Sequence, residues 1–197
     1  MKIAIFTDSF CPGIGGTEKA VLGLSEAYTK LGHEVLVACP KFDNSSDNYP
    51  FLVCRAKSIK VTKNDRLAFP SLSKKFKKDI ENFKPDIIHC QTVSSIASYG
   101  IKYAEKHNIP VVITVHTKFR EAFYHDIKSK LIVNQMLKGI TKKLKKCSSI
   151  FTVCNNMINE IESYGFKDRE KIKVIRNGAM FDRIVDFDEL NEIAQQK

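Results

Sequence analysis

Short runs that are apolar on both faces alternate with stretches of helical periodicity, and that alternation admits few folds. Val111-Val112-Ile113-Thr114-Val115 offers almost no polar face, so a strand there must be covered above and below. Strands are predicted over 2–8, 34–39, 51–54, 86–90, 111–116, 150–154 and 171–175. Helices are predicted over 72–83, 94–106, 129–146 and 155–164. Between the first two strands, from Lys19 onward, Ala20, Val21, Leu24, Ala27, Tyr28 and Leu31 recur at helical spacing, and Gly32 supplies a stop. Such a chain predicts an α/β fold: a doubly wound Rossmann-like parallel sheet with helices on both faces. A length of 197 residues suits one sizeable core, placed at 1–178. After Asn177-Gly178 the alternation stops, and 179–197 reads as a linker and a short polar helix that needs something outside itself to pack on.

The run Gly13-Ile14-Gly15-Gly16-Thr17-Glu18 falls between the first strand and the first helix. Glycines there let backbone amides approach an anion, and a helix N-terminus adds partial positive charge, so a phosphate or polar sugar group is the natural guest. Thr17 is the expected N-cap. A plain strand-to-helix turn is the bland alternative, but three glycines in four residues exceed what one turn needs. The dinucleotide fingerprint fails, because no third glycine follows and the second strand ends Ala38-Cys39-Pro40-Lys41 without a carboxylate. No P-loop motif occurs either.

Charge and cysteines narrow the setting. With 32 Lys+Arg against 22 Asp+Glu, the net charge of +10 favours anionic partners. The first strand begins at once, which leaves no room for a signal peptide, and no apolar run is long enough to span a bilayer. None of the six cysteines forms a Cys-x-x-Cys pair, so free thiols in a reducing cytoplasm are expected rather than disulfides or a zinc site.

The order of short motifs resembles the N-terminal domain of family 4 glycosyltransferases of the GT-B fold, those making glycolipids in particular. It begins with the glycine loop Gly15-Gly16-Thr17-Glu18 and continues with Pro85-Asp86-Ile87-Ile88-His89. Val115-His116-Thr117 ends an aliphatic strand, Thr152-Val153-Cys154-Asn155-Asn156 matches loosely, and Arg176-Asn177-Gly178 stands at the domain junction. The resemblance implies transfer of a sugar from a nucleotide-sugar donor such as UDP-glucose, with retained anomeric configuration, no other cofactor and no obligatory metal. It makes 1–178 the acceptor-side domain and 179–197 the link to a C-terminal donor-binding domain that this chain lacks, so the isolated chain is expected to be inactive. It also assigns Gly15, Gly16 and Thr17 to the donor phosphate or acceptor hydroxyl, and His116 to catalysis beside the reacting sugar. His89, at a comparable strand end, is a candidate for acceptor binding.

Two basic segments bear on the acceptor. Between Lys128 and Lys146 lie seven lysines and no acidic residue; Leu131, Val133, Met136, Leu137, Ile140 and Leu144 form an apolar stripe, while Lys138, Lys142 and Lys145 share another face. Lys74-Lys75-Phe76-Lys77-Lys78 is the second. Either alone reads as a solvated helix face. Together they suggest docking on an anionic membrane, the enzyme being cytoplasmic and peripheral on the inner face of the cell membrane. Residues 116–125 form the candidate acceptor mouth, where Lys118 and Arg120 meet a lipid phosphate and Phe119, Phe123 and Tyr124 touch apolar chains; an ordinary packed helix or loop is the equal alternative. A saccharide acceptor is the rival within the enzyme class. A non-catalytic basic module binding anionic membrane or nucleic acid is the rival outside it, although no specific nucleic-acid motif is readable.

Overall fold

The expected strands pair in parallel because their apolar faces leave no side for water. The computed structural model describes residues 1–12, 15–43, 45–61 and 66–178. Gly13 and Ile14 of the glycine run, and the expected linker 179–197, lie outside the described residues. Strands β1 (Lys2–Phe6), β2 (Glu34–Pro40) and β3 (Leu52–Ala56) run from the centre to one edge. A short antiparallel hairpin follows, β4 (Ser58–Lys60) with β5 (Arg66–Ala68). Strands β6 (Ile87–Cys90), β7 (Val111–Val115), β8 (Ser149–Thr152) and β9 (Ile172–Val174) then extend the sheet the other way. The result is a seven-stranded parallel sheet of order β3-β2-β1-β6-β7-β8-β9.

Helix α1 (Gly16–Lys30) begins earlier than the apolar spacing suggests. Its N-cap is Gly15, and Thr17 lies inside the first turn with no capping hydrogen bond, so the expectation of Thr17 as N-cap is corrected. The helix ends at Lys30 with Leu31 as C-cap, and Gly32 just beyond turns the chain with a φ of +82°, the left-handed conformation that glycine adopts without strain. Helices α2 (Lys74–Phe83), α3 (Ser95–His107), α4 (Phe119–Ile127), α5 (Lys130–Lys145) and α6 (Asn156–Ser163) are the other α-helices among the described residues.

Alternation along the strands divides the core in two. Ala4 and Phe6 point with Ile88, Ile113 and Ile150 into a cluster closed by α2, α3, α5 and α6. Ile3 and Ile5 point the other way, with Val35, Val37 and Val21 of α1. Among the described helices, α1 alone serves that second face, and it lies toward β2. Two further ties hold the strand ends. Asp86 accepts from the Lys2 amide (2.7 Å), so the acidic residue of the Pro85-Asp86 motif serves the sheet. Asp8, just past β1, accepts from Thr92 (2.9 Å), Ser95 (3.2 Å) and the Ile96 amide (3.3 Å), clamping the α3 N-terminus to the central strand.

One expectation within the core is corrected. The apolar stripe expected along α5 includes Leu131 and Met136, yet Leu131 is 82% exposed and Met136 37%, with Ile132 beside them at 52%. Val133, Leu137, Ile140 and Leu144 suffice to fill the space over the sheet, and one turn of apolar surface is left outside. Of the cysteines, Cys39, Cys54, Cys90 and Cys147 are buried free thiols, and Cys154 is exposed.

Gly100 in α3 packs against the fully buried Phe6 ring, and a Cβ added there would come within 2.8 Å of ring carbons. Gly100→Ala is expected to lower stability by about 1–3 kcal/mol through overpacking, despite a helix-propensity gain of about 1 kcal/mol. The check is a lower urea midpoint at unchanged m-value.

Candidate functional site

The strand order reverses between β1 and β6, and open α/β sheets bind ligands beyond the carboxyl ends of strands at such a point. Here a cavity of about 430 Å³ runs between the flank of α1 and the ends of β6, β7 and β8. Lys19, Ala20 and Gly23 line one wall; His89, Gln91, Thr114 and His116 line the other, and Phe151 and residues 175–178 bound it further along.

The polar wall is a single hydrogen-bonded chain. His89 Nε2 lies 2.8 Å from Thr114 Oγ1 and 3.1 Å from Gln91 Nε2, and Gln91 Oε1 lies 2.7 Å from His116 Nε2. The Gln91 backbone N–H donates to the Phe6 carbonyl (2.8 Å), so the residue joining the two histidines is itself held by β1. His89 is almost fully buried; burial, and then the nearby His116, push its pKa down to about 4. Burial also lowers that of His116, which is half-buried. Both rings are therefore neutral near pH 7.

The glycine run leads into α1, the helix of the opposite wall, but Gly15, Gly16 and Thr17 are not themselves among the cavity's lining residues, which begin at Lys19. Lys19 N donates to Gly15 O (3.1 Å), the first bond of α1, so the amides of Gly16, Thr17 and Glu18 have no helical acceptor. A Cβ on Gly15 would collide with the Glu18 carboxylate, which folds back over it; a Cβ on Gly16 would meet open space. Gly15 thus makes room for Glu18, and Gly16 leaves its backbone open to approach. Upstream, the buried Arg55 guanidinium donates to Cys11 O (3.1 Å), Pro40 O (3.0 Å) and Asp47 (2.6 Å).

The remaining sequence-predicted residues lie apart from the cavity lining. Lys118 is half-exposed and pairs with Glu121 (3.2 Å). Arg120 donates to Ser163 O (2.8 Å) and Asn134 (3.3 Å) and lies over the Tyr164 ring, tying α4 to α5 and α6. Lys138, Lys142 and Lys145 share an exposed face of α5. Among the described residues, no three His, Cys, Asp or Glu side chains converge as a metal site, and no helix is long and apolar enough to cross a membrane. Gln91 and Thr114 belong to the site but carry no motif signal; adjacency of strand ends alone brings them in.

Burial of neutral His89 makes stability pH-dependent. Its folded pKa lies below the unfolded value of about 6.5, so the unfolded chain binds the extra proton, and stability falls as pH drops from 6.5 towards 4. This contribution is at most about 3 kcal/mol. Urea melts of the wild type and His89→Gln at pH 7.5 and 4.5 should show a shallower pH dependence in the variant.

Comparison with known proteins bears on the family and the fold. The sequence profile of Glycosyltransferase Family 4 matches residues 14–183. The chain is 31% identical over 159 residues to an alpha-monoglucosyldiacylglycerol synthase of Acholeplasma laidlawii, covering 77% of this chain and 38% of that protein. It is 28% identical over 144 residues to the protein of that name in Streptococcus pneumoniae, covering 72% of this chain and 32% of that protein. The chain thus spans less than two fifths of either relative. Among solved structures, WaaG, a glycosyltransferase involved in lipopolysaccharide biosynthesis, superposes with TM-score 0.59 at 11% identity, covering 98% of this chain and 50% of that one. An alpha-glucosyltransferase in complex with UDP and a 13-mer DNA superposes with TM-score 0.57 at 17% identity, covering 91% and 43%. The fold is that of one Rossmann-like half of a GT-B glycosyltransferase.

Proposed function

The chain belongs to glycosyltransferase family 4, and we propose that it is the acceptor-side half of a retaining enzyme that moves a sugar from a nucleotide-sugar donor to a lipid-linked acceptor. The observation that carries this is the pairing of His89 and His116 along a cavity whose opposite wall is α1, the helix that starts in the glycine loop. In this assignment the nucleotide is gripped by a second domain, joined to residues 1–178 through 179–197. The departing diphosphate meets the amides of Gly16 and Thr17, which have no partner among the described residues, where a helix end stabilises negative charge. A neutral His116 hydrogen-bonds the reacting sugar and stabilises developing charge. The names of the two relatives favour glucose as the sugar and diacylglycerol as the acceptor.

The test is transfer from UDP-glucose to diacylglycerol in mixed vesicles by the full-length enzyme. His116→Ala is expected to lower kcat about 100-fold, in the range seen for loss of one charge-stabilising hydrogen bond. Full-length protein that processes no nucleotide sugar, with His116→Ala unchanged, would overturn the assignment.

We further propose that the enzyme works at the cytoplasmic membrane face, docking through α5. Leu131, Ile132 and Met136 project beside exposed Lys128, Lys130 and Lys138, with Lys142 and Lys145 along the same helix. Burying each apolar side chain contributes about 1–2 kcal/mol, and each lysine near an anionic surface about 1 kcal/mol. Flotation with phosphatidylglycerol vesicles should fall at least tenfold in Leu131→Glu/Ile132→Glu. Equal flotation of that variant, or tighter binding of the wild type to DNA at matched salt, would count against membrane docking.

A further inference from the structure

A glutamine amide has two unlike ends: its oxygen only accepts hydrogen bonds and its nitrogen only donates. Gln91 places one end on each histidine, with Nε2 3.1 Å from His89 Nε2 and Oε1 2.7 Å from His116 Nε2. In this orientation His89 Nε2 receives the amide N–H, and the Thr114 hydroxyl donates to the same atom from 2.8 Å. His89 must then carry its proton on Nδ1. His116 donates Nε2–H to the amide oxygen, so its Nδ1 holds a lone pair. Turning the amide over reverses both rings together. In either orientation one ring offers an N–H and the other an acceptor nitrogen, and neither Nδ1 has a protein partner among the described residues.

We propose that Gln91 is a positioning residue that holds His89 and His116 in opposite tautomers, so that the two cavity-lining rings differ, one with a donor and one with an acceptor nitrogen left for ligand hydroxyls. A hydroxyl group both donates and accepts, so this pair suits a neutral sugar alcohol better than a second cation or a bare anion. Gln91 is itself held in place, since its side chain is buried and its backbone amide is bonded to Phe6 O at 2.8 Å. That the hydroxyl belongs to a sugar rests on the transferase assignment above; the tautomers do not.

The experiment is a long-range ¹H–¹⁵N spectrum of the histidine-labelled chain at pH 8, without substrate. The wild type should show one Nδ1–H and one Nε2–H ring for His89 and His116. Gln91→Glu presents two accepting ends, so both rings should donate from Nε2 and become alike. Gln91→Leu should release His116 to averaged shifts, while His33, His107 and His125 stay unchanged. Like tautomers in the wild type, or opposite tautomers surviving in Gln91→Glu, would overturn the proposal. Should Gln91→Leu fail to fold, the near-isosteric Gln91→Glu and the wild type still decide it. The transferase assay is read separately, so failure here leaves that assignment standing, and the reverse also holds.

Discussion

A parallel sheet covered by right-handed crossovers sends every strand the same way, and most of this molecule follows from that. Strands β1, β2 and β3 step towards one edge, whereas β6 to β9 step towards the other. Because the crossover hand is fixed, the change of direction moves the later helices to the opposite face. Helix α1 is left as the described helix of its side, and it cannot cover β6, β7 and β8 as well as β2. The cavity is the geometric remainder, and His89, Thr114 and His116 are side chains of its floor.

That floor is polar without being charged. Both imidazoles are neutral, and the cationic side chains lining the cavity are Lys19 on α1 and Arg176 at the far end. Such an arrangement suits a ligand with hydroxyls in one part and anionic oxygens in another. The many lysines act elsewhere, on the outer faces of α2 and α5, so the net charge of +10 describes the surface more than the site.

How much of this is legible in the sequence depends on the range of the signal. All seven sheet strands are readable as short apolar runs; six adjoin a stretch of helical periodicity, whereas β3 follows a polar loop and precedes the hairpin. The β4–β5 hairpin is not, since Ser58-Ile59-Lys60 and Arg66-Leu67-Ala68 are too short to show a period. The apolar spacing of α5 is right for Val133, Leu137, Ile140 and Leu144. It misplaces Leu131 and Met136, because periodicity says which residues share a face and not how far the sheet extends beneath them. His89 and His116 are readable as strand ends, whereas Gln91 is not. A glutamine after a strand has no local signature, and its role arises from the neighbouring strand ends in space. Arg120 reads in sequence as reaching outward to an acceptor phosphate; its observed partners on α5 and α6 lie 14 and 43 residues away along the chain.

Arg55 sits on the edge strand of the sheet, yet its guanidinium holds the carbonyl of Cys11 in the approach to the glycine loop. Edge strands are ordinarily the first parts of a sheet to open, and their fraying is usually harmless to chemistry at the centre. Here an opening of β3 would withdraw the Arg55 guanidinium from Cys11 O, beyond the central strand. One edge-strand guanidinium thus serves carbonyls of two separate segments, Cys11 beyond β1 and Pro40 at the end of β2, so an outer strand fastens backbone that the central strands deliver.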